Sequence, residues 1–521
     1  MTSNNHARQL MSTARGDRLL LTGFCLVSYA WRITGLDSQS LWRDEVDVIR
    51  FASRSLPEVL ETFAKPGQNG PLYFLAFKPW LTLAGQSEFA LRYLSLLGSV
   101  VAIPLTYFLV RYLVALTSNG RYRFPFGPTL ANVPLIAALL MAINPYLSWY
   151  AQDAKMYALL VPLMLATSSA FLKALVNGER WRWLIYLFLL IATVLIHVLA
   201  FLIVPLHAIW LFLLGRPYSK RWIPFILVLL VPAVPFYLMT GWWQLRLFLM
   251  PDFQTGHVYS PFQEMVLTQL SGWSRGVGLL QSQWILLPFV FLCLAGALLA
   301  TTIQRPAPEK TDGQATQTKA GFRYTAILLT WLALPAIALF LISLRKPLYA
   351  DRYLIWSLPA FIILVAQGIS VVAQLWRPLG WTALVFSLAV GLAAGRQQID
   401  TPIKSDFRAA AGLVQSLRMP EDRVMFLIPY ARHTYEYYAG PSPGWVDGLY
   451  TNNGNPPEQV DQEMQDALGD ATIVWLVASE VEMWDERGLV QAWLETHGEN
   501  DLTEQFTRVT VNRYHLPISS D

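Results

Sequence analysis

Cysteine is almost missing from this chain of 521 residues. Only Cys25 and Cys293 occur, each inside an apolar run, so neither a disulfide framework nor a thiolate metal site is on offer. Charge is scarce as well. Charged residues make up 14% of the chain against 54% hydrophobic ones, a balance that excludes an ordinary soluble globule and marks a polytopic membrane protein. No internal repeat of fixed period is present. The loop Gly440 to Pro457, rich in Pro, Gly and Asn, has no phosphate-cradling glycine pattern. The first apolar run lacks a small-residue cleavage site and reads as a retained anchor.

Aromatics are plentiful. The 20 Trp and 22 Tyr suit long boundaries at headgroup level, where amphipathic rings settle. The net charge of +4 hides an asymmetry: residues 396–521 hold 20 acidic and 9 basic residues, the remainder 15 and 30. The positive charge is spread over short loops and forms no stripe with stacking aromatics, which argues against nucleic acid as a partner.

A bilayer span needs about 17 to 25 apolar residues. Runs of that length lie near 19–36, 93–116, 129–147, 156–175, 222–241, 284–303, 324–344, 353–374 and 380–395. The run from Trp183 to Gly215 is long enough for two more spans in a hairpin turning near His197. The expected architecture is therefore a mainly α, polytopic transmembrane bundle of about eleven spans over residues 1–395. With a basic cytoplasmic N-terminus, the positive-inside rule puts 37–92, the turn at Asp153, the aromatic loop 242–283, Arg352 and the tail on the extracytoplasmic side of a plasma (inner) membrane. That aromatic loop is expected to carry an interfacial helix from Pro261 to Gly272.

The tail, 396–521, changes composition abruptly. It alternates helical runs with three β-rich runs, Val424 to Pro429, Thr472 to Ala478 and Phe506 to Leu516, and reads as a small soluble α/β domain.

Three polar stretches carry the chemistry. In Leu41-Trp42-Arg43-Asp44-Glu45, two adjacent carboxylates lie beside a membrane span, where an ionised group must pair, bind a cation or face water. A helix running from about Arg43 to Ser53 puts Asp44 in its first turn, where the macrodipole favours the charged carboxylate, and an ionised Asp can act as a base. Ser55-Leu56-Pro57-Glu58 is a capping box that opens a second helix. The second stretch is Gln152-Asp153-Ala154-Lys155. The third, Arg345 to Tyr353, supplies cations suited to bidentate phosphate binding, among them Lys346 and Arg352. Turns carrying an acid and a base on the same side would together enclose a charged, wet cavity.

These residues resemble the GT-C superfamily of membrane glycosyltransferases, in its polyprenyl-phosphate-sugar-dependent, PMT-like or RgtA/B/C/D-like bacterial branch. Leu41 to Glu45 looks like its first-loop acidic motif, Gly70-Pro71-Leu72-Tyr73 like its Pro-Pro-Leu-Tyr element, and Glu88 to Ser95 like the span entrance that follows. Asn144-Pro145 through Asp153, Lys155 and Tyr157 looks like the second motif, and Asp351-Arg352-Tyr353 like the late Arg-Tyr. Two departures stand out. Gly70 replaces the first Pro, and Asp153 and Lys155 stand where many relatives have Glu-Arg, one residue further apart.

The resemblance implies transfer of a sugar from a polyprenyl-phosphate-linked donor to the hydroxyl of a protein, lipid or glycan acceptor, in contact with membrane lipids. It implies Asp44 as general base, helped by Glu45, and Asp153, Lys155, Tyr157, Lys346, Arg352, Tyr353, His197 and Tyr73 as residues that bind donor phosphate or substrate. A divalent cation, Mg2+ or Mn2+, would be held by Asp44 and Asp153. Two rival readings make other demands. A lipid or glycan transporter or flippase would place its charges within spans and show internal pseudo-repeats. A noncatalytic scaffold would tolerate changes at Asp44 and Arg352.

Overall fold

The computed structural model describes residues 15–64, 69–117, 127–236, 250, 255, 257–277, 282–303, 312–454 and 456–517. Most of the aromatic loop 242–256 and the end of the run near 222–241 lie outside the described residues. The chain divides into two compact units. One comprises residues to Thr34, Ala52–Gly85 and Arg92–Gln398; the other comprises Gly35–Phe51, Gln86–Leu91 and Ile399 onward. Two pieces of the stretch expected to belong with the membrane part, 35–51 and 86–91, thus fold with the tail.

Helices make up the first unit as described. Helix α1 is Arg15–Ile33; α2, Arg43–Ala52, lies almost wholly in the second unit; α3 is Leu56–Ala64, α4 Pro71–Ala84 and α5 Glu88–Thr117. Next come α6 Val133–Ile143, α7 Pro145–Ala151, α8 Tyr157–Asn177, α9 Arg180–Ile196, α10 Ile203–Leu214 and α11 Trp222–Phe236. The series closes with α12 Phe262–Arg275, α13 Leu286–Ile303, α14 Asp312–Ser343, α15 Leu358–Leu375 and α16 Arg377–Asp400.

Every expected apolar run contains a helix, but the count of eleven spans is not established. Among the described residues, five helices are long and apolar enough to cross a bilayer, or six if α6 and α7 form one bent span. The Trp183 to Gly215 run breaks at His197, whose backbone is extended (φ −153°, ψ 121°), leaving the helix Arg180–Ile196 of 17 residues before it and the apolar segment Val198–Leu214 after it. Helix α14 begins at Asp312, inside what reads as a loop; Gln, Ala and Lys in that stretch are good helix formers. Large apolar side chains such as Phe188, Phe212, Ile223 and Val385 stand exposed, as a lipid-facing helix surface requires.

Helix α15 is buried from Leu358 to Val372. Its approach to α13 depends on glycine. A Cβ on Gly368 would sit 1.9 Å from the Leu292 carbonyl oxygen, and one on Gly296 would sit 2.1 Å from that of Leu364. Small residues let two backbones meet in the absence of a hydrophobic drive between membrane helices.

The second unit builds its core on a five-stranded sheet with strand order β2-β1-β3-β5-β4: β1 Arg423–Phe426, β2 Trp445–Asp447, β3 Ile473–Ala478, β4 Glu499–Phe506 and β5 Val509–His515. Strands β2, β1 and β3 are parallel, and the hairpin β4–β5 adds antiparallel to β3. Strand alternation splits the core in two. Val424, Phe426, Trp475, Val477 and Val511 pack with α17 (Phe407–Leu417) and α18 (Ala431–Ala439). On the other face Met425, Val474, Leu476 and Tyr514 pack with α19 (Pro457–Leu468) and α20 (Leu489–His497). The three β-rich runs of the sequence are β1, β3 and β5. Strands β2 and β4 were missed: β2 has three residues, and β4 reads Glu-Asn-Asp-Leu-Thr-Glu-Gln-Phe, polar because most of it faces solvent.

Candidate active site

Of the ten residues singled out in the sequence, Asp44 and Glu45 belong to the second unit and the other eight to the first.

In the first unit the site grows from a broken helix. Pro145 has no N–H to give to the Met141 carbonyl, so the chain bends 50° between α6 and α7. Asn144 caps the new helix, its Oδ1 accepting from Leu147 N at 2.9 Å. The orphaned Met141 oxygen accepts instead from the Arg32 guanidinium, at 2.8 Å. Arg32 Nε also reaches Ser148 Oγ at 3.3 Å, and Gln152 Nε2 returns to the carbonyls of Arg32 and Thr34, both at 2.9 Å. These bonds fix α7 and the turn after it, so that Tyr146 and Tyr150 donate to Asp351 Oδ2 at 3.1 and 3.3 Å.

The short 3-10 segment Asp351–Ser357 presents Arg352 and Tyr353. Arg352 Nε donates to Tyr157 Oη at 3.1 Å, and its guanidinium carbon lies 5.8 and 5.7 Å from the ring centres of Tyr157 and Tyr353. His197 completes the group, its ring 5.9 Å from Tyr157 and 5.2 Å from Tyr353. It is buried, and among the described residues neither of its ring nitrogens has a hydrogen-bond partner. The helix break that turns the chain at His197 is stitched by Asn69 Oδ1, which accepts from Val198 N at 2.8 Å. Four of the expected residues, Tyr157, His197, Arg352 and Tyr353, are therefore brought together.

The others stand around them in different ways. Asp153 and Lys155 are both buried charges in the turn before α8. Lys155 Nζ lies 6.0 Å from the Phe74 ring centre, and its carbonyl accepts from Ser95 Oγ at 3.1 Å. Tyr73 is buried in α4 with its ring against Phe74 and Phe77. Helix α4 starts at Gly70, whose φ of 80° is closed to proline, and a Cβ there would meet Met156 Cε at 2.6 Å. Lys346 is half-buried in the loop after α14, where its backbone N–H donates to the Ile342 carbonyl at 3.2 Å. Sequence reasoning missed His257, whose Nε2 lies 3.1 Å from Tyr353 Oη; it sits in the aromatic loop with no motif around it. It also passed over Asp351, although Asp351 lies in a stretch already singled out.

In the second unit, α2 begins at Arg43 as expected and puts Asp44 and Glu45 in its first turn. The two carboxylates have different surroundings. Glu45 is buried, 3.0 Å from Lys404 Nζ, and accepts from Trp42 N at 3.4 Å. Asp44 retains 17% side-chain exposure, with Arg43 Nε 3.4 Å away. Arg43 also reaches Glu480 at 3.1 Å and lies 4.7 Å from the Tyr430 ring centre. Burial works against its charge, but Asp44, Glu480 and Tyr430 together outweigh that and raise its pKa. Nearby, Tyr438 donates to Glu88 and accepts from Leu41 N at 2.7 Å, while Arg408 pairs with Glu88. The hydrogen bond to Glu88 raises the Arg408 pKa.

No group of three or more His, Cys, Asp or Glu among the described residues could hold a metal ion.

No protein-family model and no curated protein matches the chain. Among solved structures, ArnT from Cupriavidus metallidurans bound to undecaprenyl phosphate is similar over 96% of this chain and 98% of its own, with a TM-score of 0.56 at 14% identity. The fold is ArnT-like. ArnT from the same organism in the apo state is similar over 94% of this chain and 97% of its own, with a TM-score of 0.50 at 14% identity. The ArnT-like fold takes in the helices and the tail alike, since so little of either chain is left over.

Proposed function

We propose that the chain is an integral membrane glycosyltransferase that moves a sugar from a polyprenyl-phosphate-linked donor to an acceptor hydroxyl. The observation that carries this reading is the cluster of Arg352, Tyr157, Tyr353 and His197, in a fold whose solved ArnT example holds undecaprenyl phosphate. Among the described residues the ring nitrogens of buried His197 have no hydrogen-bond partner, and the Arg352 guanidinium beside it, bonded to a tyrosine hydroxyl, carries the positive charge that suits a phosphate.

In the reaction, the acceptor oxygen attacks the anomeric carbon and its proton passes to the Asp44 carboxylate. The bond between that carbon and the phosphate oxygen breaks with its electron pair, releasing polyprenyl phosphate. Arg352 and Lys155 meet the charge that develops on the leaving phosphate. Tyr157, Tyr353 and His197 orient the phosphate, Lys346 adds positive charge near it, and Asp153 and Tyr73 shape the surroundings. Glu45, tied to Lys404, orients the base turn. Asp44, in a helix first turn and partly exposed, is the more available of the two adjacent acids. The active side and the tail are extracytoplasmic, and the membrane is the plasma membrane, as the charge distribution of the loops supports.

Binding of undecaprenyl phosphate to the full-length chain tests the reading. Saturable binding that Arg352→Met weakens supports it; equal binding to both proteins, or none to either, overturns it.

A further inference from the structure

The turn that carries Asp44 is held from both sides by the tail. Before it, Arg43 is shared between Asp44 Oδ1 at 3.4 Å and Glu480 Oε2 at 3.1 Å, with its guanidinium over Tyr430. After it, Glu45 is tied to Lys404 at 3.0 Å. Glu480 follows β3 by two residues, in the turn that leaves the sheet. It also stands in an unfavourable backbone conformation, φ 49° and ψ 42°. Among the described residues only Arg508 shares a positive φ without being glycine. Such a conformation is disfavoured for an ordinary residue and persists where its surroundings require it, often at functional sites.

An arginine beside a carboxylate has two opposed effects. It fixes the carboxylate rotamer, but a full bidentate pair occupies the lone pairs that a base must use. A second carboxylate on the same guanidinium divides that attraction. Glu480 makes the closer contact, from the turn directly after β3, while Asp44 lies on a short helix.

We propose that Glu480 is a positioning residue for Asp44: from the tail it draws Arg43 into a fixed place, where the guanidinium orients the Asp44 carboxylate without locking it in a full ion pair. The inference rests on the reading of Asp44 as the base. It gives the tail a part in the transfer step, with Lys404 holding the other flank of the same turn.

The test uses the full-length chain carrying Glu480→Gln, Glu480→Asp or, as the reference, Asp44→Asn. Rates are measured in membrane vesicles supplied with increasing amounts of lipid-linked sugar extracted from Asp44→Asn cells, in which the donor accumulates. Hydrogen exchange over residues 41–48 is followed on the purified chain. Glu480→Gln is expected to lower kcat at least about tenfold with little change in donor KM, since a small misplacement of a reacting group costs up to about 100-fold. Glu480→Asp recovers part of the rate, and exchange over 41–48 rises in Glu480→Gln while β3 stays protected. A Glu480→Gln rate equal to wild type, or a loss confined to KM, overturns the proposal. If Glu480→Gln fails to accumulate, Arg43→Lys, which keeps the charge and loses the fork, must give the same split between kcat and KM. If Asp44→Asn leaves the product intact, the base assignment fails by itself. Exchange over 41–48 in Glu480→Gln then decides whether Glu480 positions the turn.

Discussion

Lys404 Nζ lies 3.0 Å from Glu45 Oε1, with both side chains withdrawn from solvent. A pair of this kind adds little net stability, because desolvation offsets its attraction, but removing one partner strands a buried charge at about 3–5 kcal/mol. Lys404→Met is therefore expected to destabilise the second unit by about that amount, and Lys404→Met with Glu45→Met to recover most of it. Hydrogen exchange at β1 and β3 in denaturant measures both. A single variant as stable as wild type would show that the pair is not buried in the working protein.

Arg352 makes a charge-assisted bond to Tyr157 and faces the ring of Tyr353. Loss of a hydrogen bond to a charged group costs about 1.5–3 kcal/mol, or about 10- to 150-fold in affinity. Arg352→Met should weaken undecaprenyl phosphate binding within that range. Tyr157→Phe keeps the ring and loses the hydroxyl, so its effect should be only a few-fold. Titration calorimetry on the purified chain distinguishes the two.

Gly70 departs from the motif it resembles, and its backbone explains why. At φ 80° proline is excluded, and a Cβ would meet Met156 Cε at 2.6 Å and the Ile196 carbonyl at 3.0 Å. Gly70→Ala should cost at least about 1–2 kcal/mol from the left-handed backbone alone, and Gly70→Pro more. Thermal unfolding in detergent should rank them wild type, Ala, Pro; a stabilised Gly70→Pro would contradict the described turn.

Asp501 ties the β4–β5 hairpin to Arg513 Nε at 2.8 Å and His515 Nε2 at 2.9 Å. The Arg513 hydrogen bond, with His515 adding to it, lowers its pKa from 3.8 to about 2. A group depressed on folding contributes stability that is complete above its unfolded pKa and lost as pH falls toward the folded one. Cleavage within β4–β5 by pepsin, normalised to a reference peptide, should therefore rise from pH 4 to pH 2 in the wild type. In Asp501→Asn it should be higher at pH 4 and flat over the same interval.

Much of the helical framework was legible because apolar runs of bilayer length leave little choice of structure. The capping box at Ser55 and Glu58 is present as read, with Ser55 N donating to Glu58 Oε2 at 2.7 Å. Neighbours remote in the chain were not legible. Nothing near Glu45 indicates Lys404, 359 residues later, and nothing near Arg43 indicates Glu480. Adjacent acids gave no sign that one is buried in an ion pair and the other partly exposed. His257 was hidden for a similar reason: one imidazole in an irregular loop carries no periodic signal.

The central claim is that Asp44 takes the acceptor proton. Asp44→Asn preserves shape and removes basicity, so its effect on transfer is the most direct measurement. Mass spectrometry of lipid-linked sugars and surface glycans should show the donor accumulating and the glycosylated product disappearing, with the variant inserted at wild-type levels. Undiminished product from Asp44→Asn would contradict the account.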